Sequence, residues 1–213
     1  MPLFWYSLFM YLPSQFNHPQ HAAAIMREHP FASLVSTDGD GFPFVTHLPL
    51  KLIEEGGQPV ALLGHCARSN PHAKFLQERP QALVTFMGPQ AYMSPAVYPD
   101  LLRVPTWTYL AVHARVEARM LDGDDAKDAM LKQMIADHEP AYADQWRALP
   151  ESYAHGLLNG IVAFELKILD LQTKVKINQH RPESHAAMHA AYAQGGEQEQ
   201  ALAQWMQRLG MVA

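Results

Sequence analysis

The chain has 213 residues, 48% of them apolar and 17% charged, with a formal net charge of −5. This length fits one domain, or one domain with a helical appendage, and the apolar share supports a substantial core; the low charged share points to a covered interface and hence an oligomer. The acidic balance argues against direct DNA binding, which draws on a basic stripe to displace phosphate counterions, and the nearest basic run, Lys167, Lys174, Lys176 and Arg181, is thin.

The opening MPLFWYSLFMYLP is apolar but lacks the basic start and small-residue cleavage site of a signal peptide, and it is shorter than the roughly 20 residues that span a bilayer. Residues 1–9 read as an N-terminal extension with Met10 as the natural start, and the reading is cytoplasmic with no membrane partner. Asn17 is predicted to cap a helix over HPQHAAAIMREH that ends before Pro30. FASLVST reads as a strand, DGDG as its turn and FPFVTHLPL as the returning strand, with Gly39 and Gly41 supplying positive φ. Pro49 cannot donate to a ladder, so this strand belongs at an edge or carries a bulge.

A second turn, EEGGQP, leads to the strand VALLGHC, and PHAKFLQERP follows as a short helix with Pro71 near its first turn. Cys66 is the single cysteine, so neither an intrachain disulfide nor a Cys-based zinc site can form; it reads as a small core residue. QALVTFMG is a strand, and residues 88–106 read as one short strand at AYM followed by an irregular loop. WTYLAVHARVEARML alternates as a long strand. Asp122 is predicted to cap GDDAKDAMLKQMIADHE, with Asp124, Asp125 and Asp128 near its positive end. A helical piece over 150–157, a strand with an extension over GIVAFELKILDLQTKVKIN, and two short helices split by Gly195 and Gly196 complete the chain.

About six strands in hairpin order, with no alternating strand–helix series, exclude a Rossmann-type sheet and indicate an α+β fold dominated by an antiparallel β-barrel, with peripheral and C-terminal helices. The domain reading is a barrel over 10–178 with inserted helices and a helical segment over 179–213.

Several stretches, in order, resemble the PaiB family of negative transcriptional regulators, whose fold is the FMN-binding split barrel. They are MYLPSQFN (10–17), THLPL (46–50), GHCARSNPHAK (64–74), FMGPQAYMSPAVY (86–98), VPTWTYLAVHARV (104–116), GIVAFELKI (160–168) and KINQHRP (176–182). The sequence departs from the family at AVY (96–98), where a Trp usually precedes the Tyr, and at INQH (177–180), usually Ser-Gln-Asn. The resemblance implies FMN at the interface of a homodimer, with each site built from both protomers, and a role in gene repression. The split barrel also houses pyridoxamine-phosphate oxidases, flavin reductases and haem-degrading proteins, so an FMN-dependent oxidoreductase is the alternative.

FMN demands donors for its phosphate, a flat apolar slot for its ring and hydrogen-bond partners for the ring's polar edge. In GHCARSNPHAK, His65, Arg68, Ser69, Asn70 and His72 are the phosphate candidates, with Arg68 offering a forked donor and His72 and Lys74 adding charge; an ordinary strand-to-helix turn capped by Asn70 is the competing reading. His47, Leu48 and Pro49 would lie along the ring or ribityl chain, or form a plain edge strand. Trp107, Tyr109 and His113 share one strand face; Trp107 would cover the isoalloxazine or belong to an aromatic core pair, and Tyr92 and Ser94 have the same standing. Lys176, Gln179 and Arg181 would reach the phosphate or the ring edge, or form a solvated face. His185 and His189 share a helix face, as do His18 and His21, but position 186 is Ala, so no HExxH zinc motif is present; surface histidines are the favoured reading and no metal is expected. No catalytic residue is assigned.

Overall fold

The structure, a computed structural model, describes residues 9–100 and 102–212. Of the extension expected over 1–9, all but Phe9 lies outside the described residues. In chain order the regular elements are α1 (Ala22–Glu28), β1 (Phe31–Thr37), β2 (Pro43–Pro49), β3 (Lys51–Glu55), β4 (Gln58–Ala67), α2 (His72–Glu78), β5 (Gln81–Met93), β6 (Thr106–Leu121), α3 (Asp124–His138), α4 (Ala143–Arg147), α5 (Glu151–Asn159), β7 (Ile161–Lys176), α6 (His185–Ala193) and α7 (Glu197–Arg208). The strands form one sheet in the order β2-β1-β5-β6-β7-β4-β3, with β1–β2, β1–β5, β3–β4 and β4–β7 paired antiparallel. Antiparallel β with added helices is thus the observed class.

The first hairpin forms as its turn chemistry requires. Phe31 pairs with Pro49 and Thr37 with Pro43. The Asp38 carboxylate accepts from the N–H groups of Asp40 and Phe42 at 3.0 and 2.9 Å, and Gly41 has φ +90°, whereas Gly39 does not need the left-handed region. Pro49 closes β2 at a sheet edge, as its missing N–H demands. Two residues later Lys51 opens β3, a separate strand that pairs with β4 at the opposite edge.

Other expectations are corrected. Asn17 does not cap a helix: it bridges to Lys174, and α1 starts at Ala22 after a 3-10 turn over Pro19–His21. Gly123, at φ +82°, rather than Asp122, precedes α3. β5 does not stop at Gly88 but runs through Gly88 and Pro89 to Met93. A Cβ at Gly88 would stand 3.0 Å from the Leu110 Cβ, so this glycine admits a close approach rather than a turn. Among the described residues there are seven strands where about six were expected, and the short α4 carries no sequence signal strong enough to foresee.

The chain divides into two compact units that interleave along the sequence. One takes the chain up to His29, Phe86–His113 and the stretch from Gln172 onward; the other takes Pro30–Thr85 and Ala114–Leu171. In the first, α7 turns Leu202, Ala203, Trp205 and Met206 inward. The Glu199 carboxylate accepts the Gly196 N–H at 2.7 Å, and Arg208 reaches both oxygens of Glu28 at 2.6 and 2.8 Å. Buried Thr108 and Tyr192 share a hydroxyl–hydroxyl bond of 2.7 Å.

In the second unit Leu34, Leu48, Leu50, Leu62, Leu76, Val84 and Phe164 are buried, and so is Cys66, as its strand position suggested. Met130 and Met134 of α3 pack on Leu63 and Ala163. His72, fully buried, meets the Thr46 hydroxyl at 2.8 Å through Nδ1 and stands edge-on to Phe44 at 5.3 Å. Burial lowers its pKa from 6.5 to about 4.

Two predictions follow from this packing. A Cβ at Gly64 would overlap Leu50 Cδ2 and stand 3.4 Å from Phe164, both buried side chains with little room to move. Gly64→Ala is expected to lose about 1–3 kcal/mol by overpacking, read as a lower urea midpoint; an unchanged midpoint would contradict this packing. For His72 the unfolded chain binds the extra proton at higher pH than the folded one, so its contribution is complete above pH 6.5 and is lost as pH falls toward about 4. His72→Gln is expected to flatten the stability-versus-pH curve in that window; parallel curves for both proteins would show that His72 does not titrate this way.

Candidate functional site

In the second unit, the end of β4 and the start of α2 carry the first group of candidates. Asn70 works as the cap: its Oδ1 accepts the His72 N–H at 3.0 Å and its Nδ2 donates to Thr46 Oγ1 at 3.1 Å. Thr46 thereby ties Asn70 and His72 to β2, beside His47. His72, neutral and buried, adds no charge to this turn, contrary to expectation. Lys74 is largely exposed and lies 3.6 Å from Glu78.

Arg68 and Ser69 are exposed on this turn. The Arg68 fork donates from Nε to the Asn159 carbonyl at 2.5 Å and from one terminal nitrogen to the Ile161 carbonyl at 3.2 Å, which aims the guanidinium and leaves donors for a further oxygen. Nδ1 of His65 is buried without a hydrogen-bond partner among the described residues, and burial pushes that imidazole's pKa down. A guanidinium, a hydroxyl and a neutral imidazole are donors that suit a phosphate ester. On β2, His47 meets the Ser33 hydroxyl at 3.0 Å and stacks on Phe31, Leu48 is buried and Pro49 is half-buried.

In the first unit, β5, β6 and β7 carry the second group. Trp107 and Tyr92 are 55% and 50% exposed and meet edge to face at 6.4 Å, so neither is a core residue. Ser94 accepts the Ala96 N–H at 3.2 Å and caps a 3-10 turn over Pro95–Val97. Tyr109 lies on the same strand face as Trp107, with the ammonium groups of Lys174 and Lys176 5.3 and 5.8 Å from its ring centre. His113 is half-buried; its pKa is pushed down by burial, held up by the Phe9 backbone and lowered again by Lys174.

Lys176 donates to Thr106 Oγ1 at 2.7 Å and to the Trp107 carbonyl at 2.8 Å. Gln179 does not join it. Its amide donates to the Val175 and Gln15 carbonyls at 2.6 and 3.3 Å and meets His18 Nε2 at 3.0 Å, while its oxygen accepts the Ile177 N–H at 3.0 Å. The side chain is committed to holding the turn after β7. His185 is not a surface histidine: it is buried against the Asn178 carbonyl at 3.2 Å.

Thr46, Tyr98, Arg103 and Asn178 were not singled out from the sequence, and Lys174 was named only in the thin basic run, not as a site residue. The TKVK pattern at 173–176 did carry a usable signal, since Lys174 and Lys176 must share a strand face. For Tyr98 and Asn178, bonded to one another across 80 positions, no local pattern exists.

Residues 10–170 match the model of the family described as "Putative FMN-binding domain". The chain is 32% identical over 179 residues to "Protease synthase and sporulation protein PAI 2" of Bacillus subtilis (strain 168), covering 82% of this chain and 84% of that one. Among solved structures it is similar to the FAD and heme binding protein from Mycobacterium smegmatis (17% identity, TM-score 0.58, covering 75% of this chain and 72% of that one). It is also similar to the flavocytochrome Anf3 from Azotobacter vinelandii (17% identity, TM-score 0.57, covering 75% and 68%). The two structures bear on the fold, the split barrel; the family match bears on the cofactor. With both on hand, the chain belongs to the FMN-binding domain family, is a PaiB-like homologue of PAI 2, and has FMN as its cofactor.

Proposed function

We propose that this chain is a cytoplasmic homodimer that binds FMN and lowers transcription, as a PaiB-like regulator. The observation that carries the regulatory part is its identity of 32%, over most of both chains, with a protein named "Protease synthase and sporulation protein PAI 2", alongside the PaiB-like stretches of the sequence. The flavin part is supported by exposed donors of the kind its phosphate needs, Arg68 and Ser69, and, taken by itself, by an aromatic set of the kind its ring needs, Trp107, Tyr92 and Tyr109. FMN supplies redox chemistry when bound; the chain's own residues bind, orient and shield it.

A formal charge of −5 weighs against direct DNA contact by the chain alone, so the regulation proposed runs through a partner or through the flavin state. Among the described residues no helix is long and apolar enough to cross a membrane. Deleting the gene is expected to raise a defined set of transcripts, and the purified protein is expected to consume no NAD(P)H beyond a single reduction of its flavin. Unchanged transcripts together with steady turnover would transfer the assignment to an FMN-dependent oxidoreductase.

At the level of residues, Arg68→Ala is expected to weaken FMN binding about tenfold or more, since a charge-assisted bond to phosphate is lost. Flavin absorbance per chain after dialysis reads this out; retention equal to the parent protein would remove Arg68 from the phosphate. Trp107→Ala is expected to relieve quenching of flavin fluorescence, and an unaltered emission would place the ring elsewhere.

A further inference from the structure

A cavity of about 440 Å³ lies within the first unit, with Phe16, Tyr98 and Val104 among its apolar walls and Lys176, Arg103 and Asn178 among its polar ones. That volume is in the range of small-molecule sites. Its charges do not balance. Arg103 stands 3.0 Å from Asp100 and 3.5 Å from Glu183, and Arg181 stands 4.0 Å from Glu183, so two guanidinium groups are matched by two carboxylates. Lys176 is unmatched: its oxygen partners, the Thr106 hydroxyl and the Trp107 carbonyl, are neutral, and among the described residues no carboxylate pairs with it. An ammonium has three donors, so one remains.

The neighbouring charge deepens the excess. Lys174 is 6% exposed, and its ammonium donates to the Tyr11 carbonyl at 2.8 Å, again with no carboxylate paired to it among the described residues. Lys174 and Tyr109 do not line the cavity, but the Lys174 ammonium, 5.3 Å from the Tyr109 ring centre where that of Lys176 stands at 5.8 Å, adds to the positive charge behind Lys176. Burial also lowers the Lys176 pKa, with Tyr109 raising it and Lys174 lowering it further, a penalty that a bound anion offsets.

The aromatic part of the wall is held in place. Tyr98 is held by Asn178, whose amide donates to the phenol oxygen at 3.0 Å, and Arg103 covers the ring at 5.1 Å. Asn178 is itself 6% exposed, donates to Ser184 Oγ at 2.8 Å and has φ +65°, the left-handed backbone that asparagine tolerates best among side-chain-bearing residues. A fixed aromatic ring and an ammonium without a carboxylate, lining one cavity, suit a ligand with a flat apolar body and one negative end.

We propose that this cavity is a binding site, separate from that of the flavin, for a small organic acid, with Lys176 taking the carboxylate and Tyr98 flanking the body. The test is calorimetric titration of the flavin-loaded full chain with benzoate, with the neutral benzamide and with inorganic phosphate. Benzoate is expected to bind once per chain without releasing flavin, and benzamide about tenfold or more weaker. Lys176→Met is expected to weaken benzoate by a similar factor and Lys176→Arg to restore most of it. Val104→Trp, at the cavity wall, is expected to block benzoate with the flavin content unchanged. Equal binding of benzoate and benzamide, or no benzoate binding in the millimolar range, would overturn the proposal. Preference for phosphate would make it an inorganic-anion site instead, and flavin release by benzoate would hand the cavity and Lys176 to the cofactor.

Discussion

A proline has no N–H to donate to a further strand, and Pro49 is the last residue of β2, at an edge of the sheet. β2 ends there on its partner β1, Leu50 is buried with its N–H bonded to the Pro30 carbonyl at 2.9 Å, and Lys51 begins the ladder with β4. Two adjacent strands in sequence thereby occupy the two edges of the sheet. The anchor is Leu50, whose side chain fills the space where a Cβ would stand at Gly64 on β4. The Thr46 hydroxyl, four residues earlier on β2, then meets Asn70 and His72 and sets the turn that exposes Arg68 and Ser69.

The two units present their functional chemistry differently. In the second, a capped turn leaves a forked cation at the surface, already aimed by the carbonyls of Asn159 and Ile161. Such orientation is what a phosphate site needs, because a guanidinium that is already placed gives up less freedom on binding. In the first, lysines rather than arginines hold the charge, and they are set among aromatic rings and neutral oxygens instead of carboxylates. A strongly hydrated ammonium with few counter-charges is costly to bury, the cost that the anion proposed for the cavity would offset.

Much of this is legible in the order of the residues. Alternation announced β6, and the DGDG turn announced the hairpin of β1 and β2, because strand period and turn chemistry are local properties. Proline at position 49 announced the edge. The assignments that failed are those where a distant neighbour overrides a local signal. Gly88 reads as a stop but admits Leu110, and Asn17 reads as a cap but bridges to Lys174. His72 reads as a cation on a helix start but is enclosed by Phe44 and Thr46 and held neutral. Gln179 reads as a ligand contact but is used up by three backbone groups and His18.

By itself the amino-acid sequence determined the antiparallel class, most strand and helix positions, the family and the flavin, all of which depend on residue order and on short stretches. Tertiary structure alone decided which polar groups are spent and which are left over. Whether Arg68 is aimed by carbonyls 91 and 93 positions away, or Lys176 is left without a carboxylate, depends on which distant groups folding brings within hydrogen-bond reach, and no local pattern encodes that distance.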